Sequence, residues 1–268
     1  MLKYIVAAAA VLCVAVLETH ELAQIAPEAV AYHDFTKTPG EPYGPYPMTW
    51  MVVTESNSLA LAVVPSGFHQ TPHYHDQEQF TLGVEGALDY SIGGVQHRIG
   101  PQGVGVPPSN VLHGMSNDSG QPVMMLEFQP VRRDDWLPPH PQVRQPQSSQ
   151  PKTLDAAQPV TLDYGLSSNG WRSDPMGARL KVLAGKTIRA TFWDLSAATA
   201  SIVIKASVST SERFVFVLDG ELASKVGSTS RAIGPKTAIV VPPTGKDVTV
   251  QSLGKPGTEI VVFERVGL

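Results

Sequence analysis

A two-domain, all-β chain built from two antiparallel barrels is what this sequence predicts, and three observations predict it. Past residue 35 helical periodicity is scarce, while short runs rich in Val, Ile, Phe and Thr alternate with turns drawn from 23 glycines and 23 prolines. That is the pattern of a sandwich or barrel. The chain falls into two stretches that resemble each other, each of about 100 residues and suited to one small barrel. Between them, Leu137 to Pro159 is polar, proline-rich and free of apolar periodicity, as an extended connector would be. The expected organisation is a leader over residues 1–23, a first barrel over 28–136, a connector over 137–158 and a second barrel over 159–268.

The composition bounds the function. Of the 268 residues, 42% are hydrophobic and 16% charged, which is globular rather than disordered. The net charge of −4 holds no basic run interleaved with aromatics, so nucleic acid is not an expected partner.

The leader expectation rests on Met1-Leu2-Lys3, an apolar run from Tyr4 to Leu17, and a polar turn at Glu18, His20 and Glu21. The run falls short of the roughly 20 residues that span a bilayer core, but it suits the apolar region of a secretory signal. Export to the periplasm or the exterior is expected, with no membrane association once the leader is removed. The only cysteine, Cys13, lies within the leader, so the exported chain would carry no disulfide.

The repeat is explicit. Phe80-Thr-Leu-Gly-Val-Glu-Gly86-Ala-Leu resembles Phe214-Val-Phe-Val-Leu-Asp-Gly220-Glu-Leu, and Ile99-Gly-Pro before Pro107-Pro108 resembles Ile233-Gly-Pro before Pro242-Pro243. Phe128 answers Phe263, and Pro47-Met48 answers Pro175-Met176. So many coincidences at a nearly constant offset indicate duplication.

Within the first repeat, His73 and His75 at i and i+2 would face one side of a strand, with Gln79 of the same parity and His113 on a later strand. Neutral imidazole is the commonest protein ligand for several divalent metals, and an amide oxygen can complete the set. The second repeat overwrites these positions with Ser207, Ser209, Arg213 and Val248, none of which suits a metal. One repeat is built for chemistry and the other for architecture.

These residues resemble the two motifs of the cupins. The first reads Gly67, His73, His75, Gln79 and Gly86; the second reads Pro108, Asn110 in place of a glycine, His113 and Asn117. With the duplication, the chain is similar to a bicupin. The resemblance implies two tandem jelly-roll barrels and one divalent ion (Mn, Fe, Ni, Zn, Cu or Co) held by His73, His75, Gln79 and His113.

Gln79 stands where most redox cupins carry glutamate. A neutral amide leaves the ion its full charge, which favours Lewis-acid work on an anionic, chelating substrate. The strings His73-Tyr-His75-Asp-Gln-Glu78-Gln79 and Phe128-Gln-Pro130-Val-Arg132-Arg-Asp134 resemble the cupins that linearise unsaturated uronates, which implies that Arg132 grips a substrate carboxylate. Those cupins carry an aspartate where this chain has Leu126. Glu127 beside it has the opposite parity and is expected to face away from the pocket. Glu78, His69 and Tyr90 are then the candidates for acid or base. The expectation is an exported, metal-dependent lyase or isomerase acting on a small oxygenated, anionic acid, as a monomer or homodimer. The alternatives are a quercetinase-type dioxygenase and a non-catalytic module whose pocket is lined by Met124, Leu126 and Phe128.

Overall fold

The computed structural model describes residues 29–130, 152–153, 160–165, 168–197, 200–206, 211–254 and 257–266. The expected leader, the connector apart from Lys152 and Thr153, and the candidates Arg132, Ser207 and Ser209 lie outside the described residues. Among the described residues 22 strands form four sheets, and there is no α-helix. The chain is all-β, as its patterning predicts, and each repeat folds into a jelly-roll barrel of one larger and one smaller sheet.

In the first unit β2 (Glu41–Tyr43), β3 (Tyr46–Val53), β4 (Asn57–Val64), β6 (Phe80–Glu85), β9 (Gly103–Gly105) and β11 (Val123–Pro130) lie in the larger sheet. Facing it are β5 (Phe68–His69), β7 (Leu88–Ile92), β8 (Val95–Ile99) and β10 (His113–Asn117). The second unit repeats this order, with β13 (Arg172–Ser173), β14 (Arg179–Ala184), β15 (Ile188–Asp194), β17 (Arg213–Asp219), β20 (Thr237–Val241) and β22 (Glu259–Arg265) in its larger sheet. Its smaller sheet holds β16 (Ser201–Ile204), β18 (Leu222–Val226), β19 (Thr229–Ile233) and β21 (Val248–Ser252). The units exchange one edge strand each. β1 (Ala31–Asp34) pairs with β20, and β12 (Thr161–Asp163) pairs with β9. Each stretch of the repeat thus lends its first strand to the other's sheet, which covers two edges that would otherwise be open.

The central strands of the larger sheets, β4, β6, β11, β17, β20 and β22, are largely covered on both faces. On one face Phe80, Leu82, Leu126 and Phe128 meet Phe214, Phe216 and Phe263 in a single cluster shared by the two units. Phe128 stacks on Phe263 with centroids 4.8 Å apart and planes 11° apart. This repeated phenylalanine pair is therefore the centre of the junction. On the opposite face Met125 packs with Tyr90, Ile92 and Met115 inside the first barrel, and a valine- and isoleucine-rich cluster fills the second. The repeat also keeps Gly86 and Gly220, whose φ values of +75° and +78° lie in the left-handed region that side chains disfavour.

Candidate metal centre

His73 and His113 face each other across an isolated antiparallel bridge, each amide donating to the other's carbonyl at 2.8 Å. His75 comes from the loop 74–79 that links this bridge to β6. The three rings pack with centroids 4.5 to 5.9 Å apart, and their nearest nitrogens all lie within 4.8 Å of one another.

All three imidazoles are oriented alike. Nδ1 of His73 lies 3.3 Å from the Thr71 carbonyl, that of His75 lies 2.7 Å from the Gln77 carbonyl, and that of His113 lies 2.8 Å from the Val111 carbonyl. Each carbonyl lies two residues away along the chain, and as an acceptor it fixes the proton on Nδ1 and leaves the Nε2 lone pair for the centre. Nε2 of His113 is buried and has no hydrogen-bond partner.

Gln79 supplies the second sign of a cation site. Its Nε2 donates to Thr81 Oγ1 and to Glu127 Oε1, both at 2.9 Å, so its Oε1 is turned to His75 Nε2 at 3.0 Å. With the His75 proton held on Nδ1, two lone pairs then face each other. A second proton on His75 is disfavoured, because burial holds this imidazole below its ordinary value. A divalent ion relieves both the opposed lone pairs and the orphaned His113 nitrogen, so the donor set fits the metal that the sequence implies.

The same burial predicts how the centre responds to acid. Burial and the neighbouring rings hold His113 down to about 3, and His73 is lowered by burial and His75. Protons compete with metal for the Nε2 lone pairs, so a lowered pKa moves that competition to lower pH. Dialysis across pH 5 to 7 followed by elemental analysis is expected to show metal retained well below the ordinary imidazole value of 6.5. Loss of half the metal already at that value would contradict the description.

The structure corrects the strand phase expected for β11. Glu127 faces the pocket, whereas Leu126 and Phe128 belong to the junction with the second unit, and Met124 packs beside them. The pocket is thus not lined by Met124, Leu126 and Phe128. It is a cavity of about 490 Å³, bordered by His73, His75, Gln79 and Glu127 and backed by the small residues Ala60 and Ala62. Burial pushes the Glu127 carboxyl up to about 7, against the opposing pull of the Gln79 hydrogen bond.

The three acid–base candidates lie elsewhere. Glu78 is fully buried but points to the second unit, accepting from the Lys186 amide at 2.9 Å and from the Thr187 amide and hydroxyl at 2.6 and 2.8 Å. His69 is exposed on the outer surface beside Asp118 at 3.1 Å; the turn into the loop breaks the parity it shares with His73, and Gln70 lines the cavity instead. Tyr90 lies in the barrel wall, its hydroxyl 3.3 Å from Thr81 Oγ1 and its ring edge-on to His113. Burial raises its phenol far above the usual range, which suits a packing group rather than a proton carrier. Of the second motif, Asn110 adopts φ +63°, which asparagine tolerates better than most residues. Asn117 is a structural bracket that donates to the carbonyls of Val64, Pro65 and Gln121.

In the second unit the polar positions become apolar: Val215 replaces Thr81, Val248 replaces His113 and Val262 replaces Glu127, all within its core. Arg213, opposite Gln79 in the repeat, is bound by Glu264 at 2.9 Å and by the Lys205 carbonyl. Arg189 pairs with the same Glu264 at 2.6 Å. The guanidinium of Arg213 is thereby committed within the fold.

Residues 60–128 match the family model of the cupin domain. Among solved structures, a salicylate 1,2-dioxygenase from Pseudaminobacter salicylatoxidans is 13% identical, with a TM-score of 0.67 over 91% of this chain and 86% of that one. AerE from Microcystis aeruginosa is 14% identical, with a TM-score of 0.61 over 86% of this chain and 97% of that one. Protein Ylba from E. coli is 10% identical, with a TM-score of 0.65 over 91% and 95% respectively. At these identities the likeness is one of fold. No curated protein matches the chain in sequence. The chain folds as two tandem jelly-roll barrels, and the cupin domain matched at residues 60–128 lies in the first of them and carries the histidine cluster.

Proposed function

We propose that the first unit is a metal-dependent lyase or isomerase acting on a small oxygenated acid, with Glu127 as its proton-transferring group. The observation that carries this reading is the position of Glu127, a carboxylate that lines the same cavity as His73 and His75 and is tethered to Gln79 through one oxygen. His73, His75, His113 and Gln79 would hold the ion. Bound there with neutral ligands, a divalent ion supplies Lewis acidity and attracts an anionic oxygen donor. Glu127 Oε1 is fixed by Gln79 Nε2, while Oε2 makes no hydrogen bond to a described residue. Oε2 is therefore the atom that takes a proton from a bound acid or returns one. Export, read from residues 1–23, is part of the proposal; intact-mass measurement of the protein from its native host would reveal removal of the leader.

The test is turnover of a panel of uronates and hydroxy acids by metal-loaded protein, with product identified by mass. Glu127→Gln preserves the hydrogen-bonding shape and is expected to cut kcat by about 10²–10⁴-fold. No turnover of any such acid, or an unaffected Glu127→Gln enzyme, would sink the reading.

A second reading, oxygen chemistry of the quercetinase type, gains from the same residue. Gln79 stands where that chemistry calls for a glutamate base, and Glu127 supplies a carboxylate one hydrogen bond away. The fold-level likeness to a salicylate 1,2-dioxygenase points in the same direction. Oxygen uptake with flavonols or gentisate-like diphenols, absent under the first reading, separates the two.

A further inference from the structure

The metal-free second unit has a role that its lost ligands leave unexplained. Loop 74–79 carries His75 and Gln79 without pairing as a strand. Its inner side is held by the chain around the second motif, through Asn110 N to His75 O at 2.7 Å and Gln79 N to Pro107 O at 3.4 Å. Its outer side is held by Glu78, whose carboxylate accepts three hydrogen bonds from Lys186 and Thr187 in the turn between β14 and β15. That turn belongs to the other unit. Gly185 completes the seat: a Cβ there would lie 2.7 Å from Glu78 Oε2.

The repeat carries the mirror image of this joint. Glu212 precedes Arg213 as Glu78 precedes Gln79, and it accepts from Ser56 Oγ at 2.9 Å in the turn between β3 and β4 of the first unit. Asn57 Nδ2 donates to the Glu212 carbonyl at 3.2 Å. The glutamate was therefore retained in the unit that lost its ligands, which marks it as a joint between units. Only in the first unit does this joint adjoin a metal-ligating residue.

We infer that the second unit positions the metal centre of the first, with Glu78 as the positioning residue that seats His75 and Gln79 by gripping the 185–187 turn. This rests on the metal-binding part of the proposed function. A buried carboxylate with three donors is rigid, and ligand orientation set from beyond the ligands commonly changes metal affinity by about 10–100-fold. Gly185, in the other unit and remote in sequence from every ligand, would then influence how the first unit binds its ion.

The full-length chain, stripped of metal and titrated with cobalt(II), tests this through affinity and through the visible spectrum, which reports the ligands. Glu78→Gln and Gly185→Ala are each expected to weaken cobalt binding about 10–100-fold and to shift the spectrum. Glu212→Gln, the same change at the mirror joint, is expected to lower the thermal midpoint while leaving cobalt affinity and spectrum as in the wild type. Unchanged cobalt binding in Glu78→Gln and Gly185→Ala, or an equal loss in Glu212→Gln, overturns the positioning role. If Glu78→Gln fails to fold, Gly185→Ala decides, because it leaves Glu78 and every ligand in the chain. A wild-type chain that takes up no cobalt overturns the metal reading itself, and this inference with it.

Discussion

Replacing His113 by alanine is expected to reduce the metal content of the purified protein from about one ion per chain to below about a tenth. The expectation follows from what His113 does. Its Nδ1 is engaged by the Val111 carbonyl while its Nε2 is buried and unpartnered, so the side chain contributes to the fold chiefly through packing. Because Val248 occupies the equivalent position in the second unit and packs there with no exposure, the barrel accepts an apolar side chain at this place. The alanine variant should therefore fold. Elemental analysis of protein made without a histidine tag, beside circular dichroism of the same sample, checks both halves. A folded variant that keeps its metal would remove His113 from the centre.

Phe128→Ala is expected to cost about 3–5 kcal/mol of stability, the range for a fully buried phenylalanine. Phe128 has no exposure and stacks on Phe263 while meeting Phe214 edge-on at 5.8 Å. The void would open in the cluster shared by the two units, where neither can collapse without moving the other. Against a typical total of about 5–15 kcal/mol, such a loss brings the protein close to unfolding. Urea unfolding followed by tryptophan fluorescence measures it. A loss below about 1 kcal/mol, the cost of an ordinary surface change, would show that this face is not packed as described.

Glu127 and Leu126 show where reading the sequence reached its limit. The alternation along Val-Met-Met-Leu-Glu-Phe-Gln-Pro was visible, and its period of two was correct. Its phase was not, because an antiparallel strand shows which face is buried only when the other face is wet. β11 has no exposed face, its residues being buried or half-buried throughout. One side meets the cavity and the other meets the second unit, and the apolar side is the junction. Recognising Phe128 and Phe263 as a pair across an interface, rather than as two separate core residues, would have placed Glu127 in the pocket.

Glu78 shows the same limit from the other direction. A carboxylate next to a ligand looks catalytic when one unit is considered alone. The signal against that reading lay in the repeat, where Glu212 persists beside Arg213 after the ligands have gone. His69 failed for a simpler reason: parity holds along a strand, and a loop separates His69 from His73.

The sequence by itself determined the all-β class, the duplication, the cluster of His73, His75, Gln79 and His113, and the loss of that cluster in the second unit. These follow from residue type and spacing, which the chain carries wherever it folds. The tertiary structure decided which face of β11 meets the cavity, that Glu78 grips the neighbouring unit, and that the units exchange β1 and β12. Those depend on what lies across an interface, and a strand covered on both faces carries no record of which neighbour is the site and which is the other barrel.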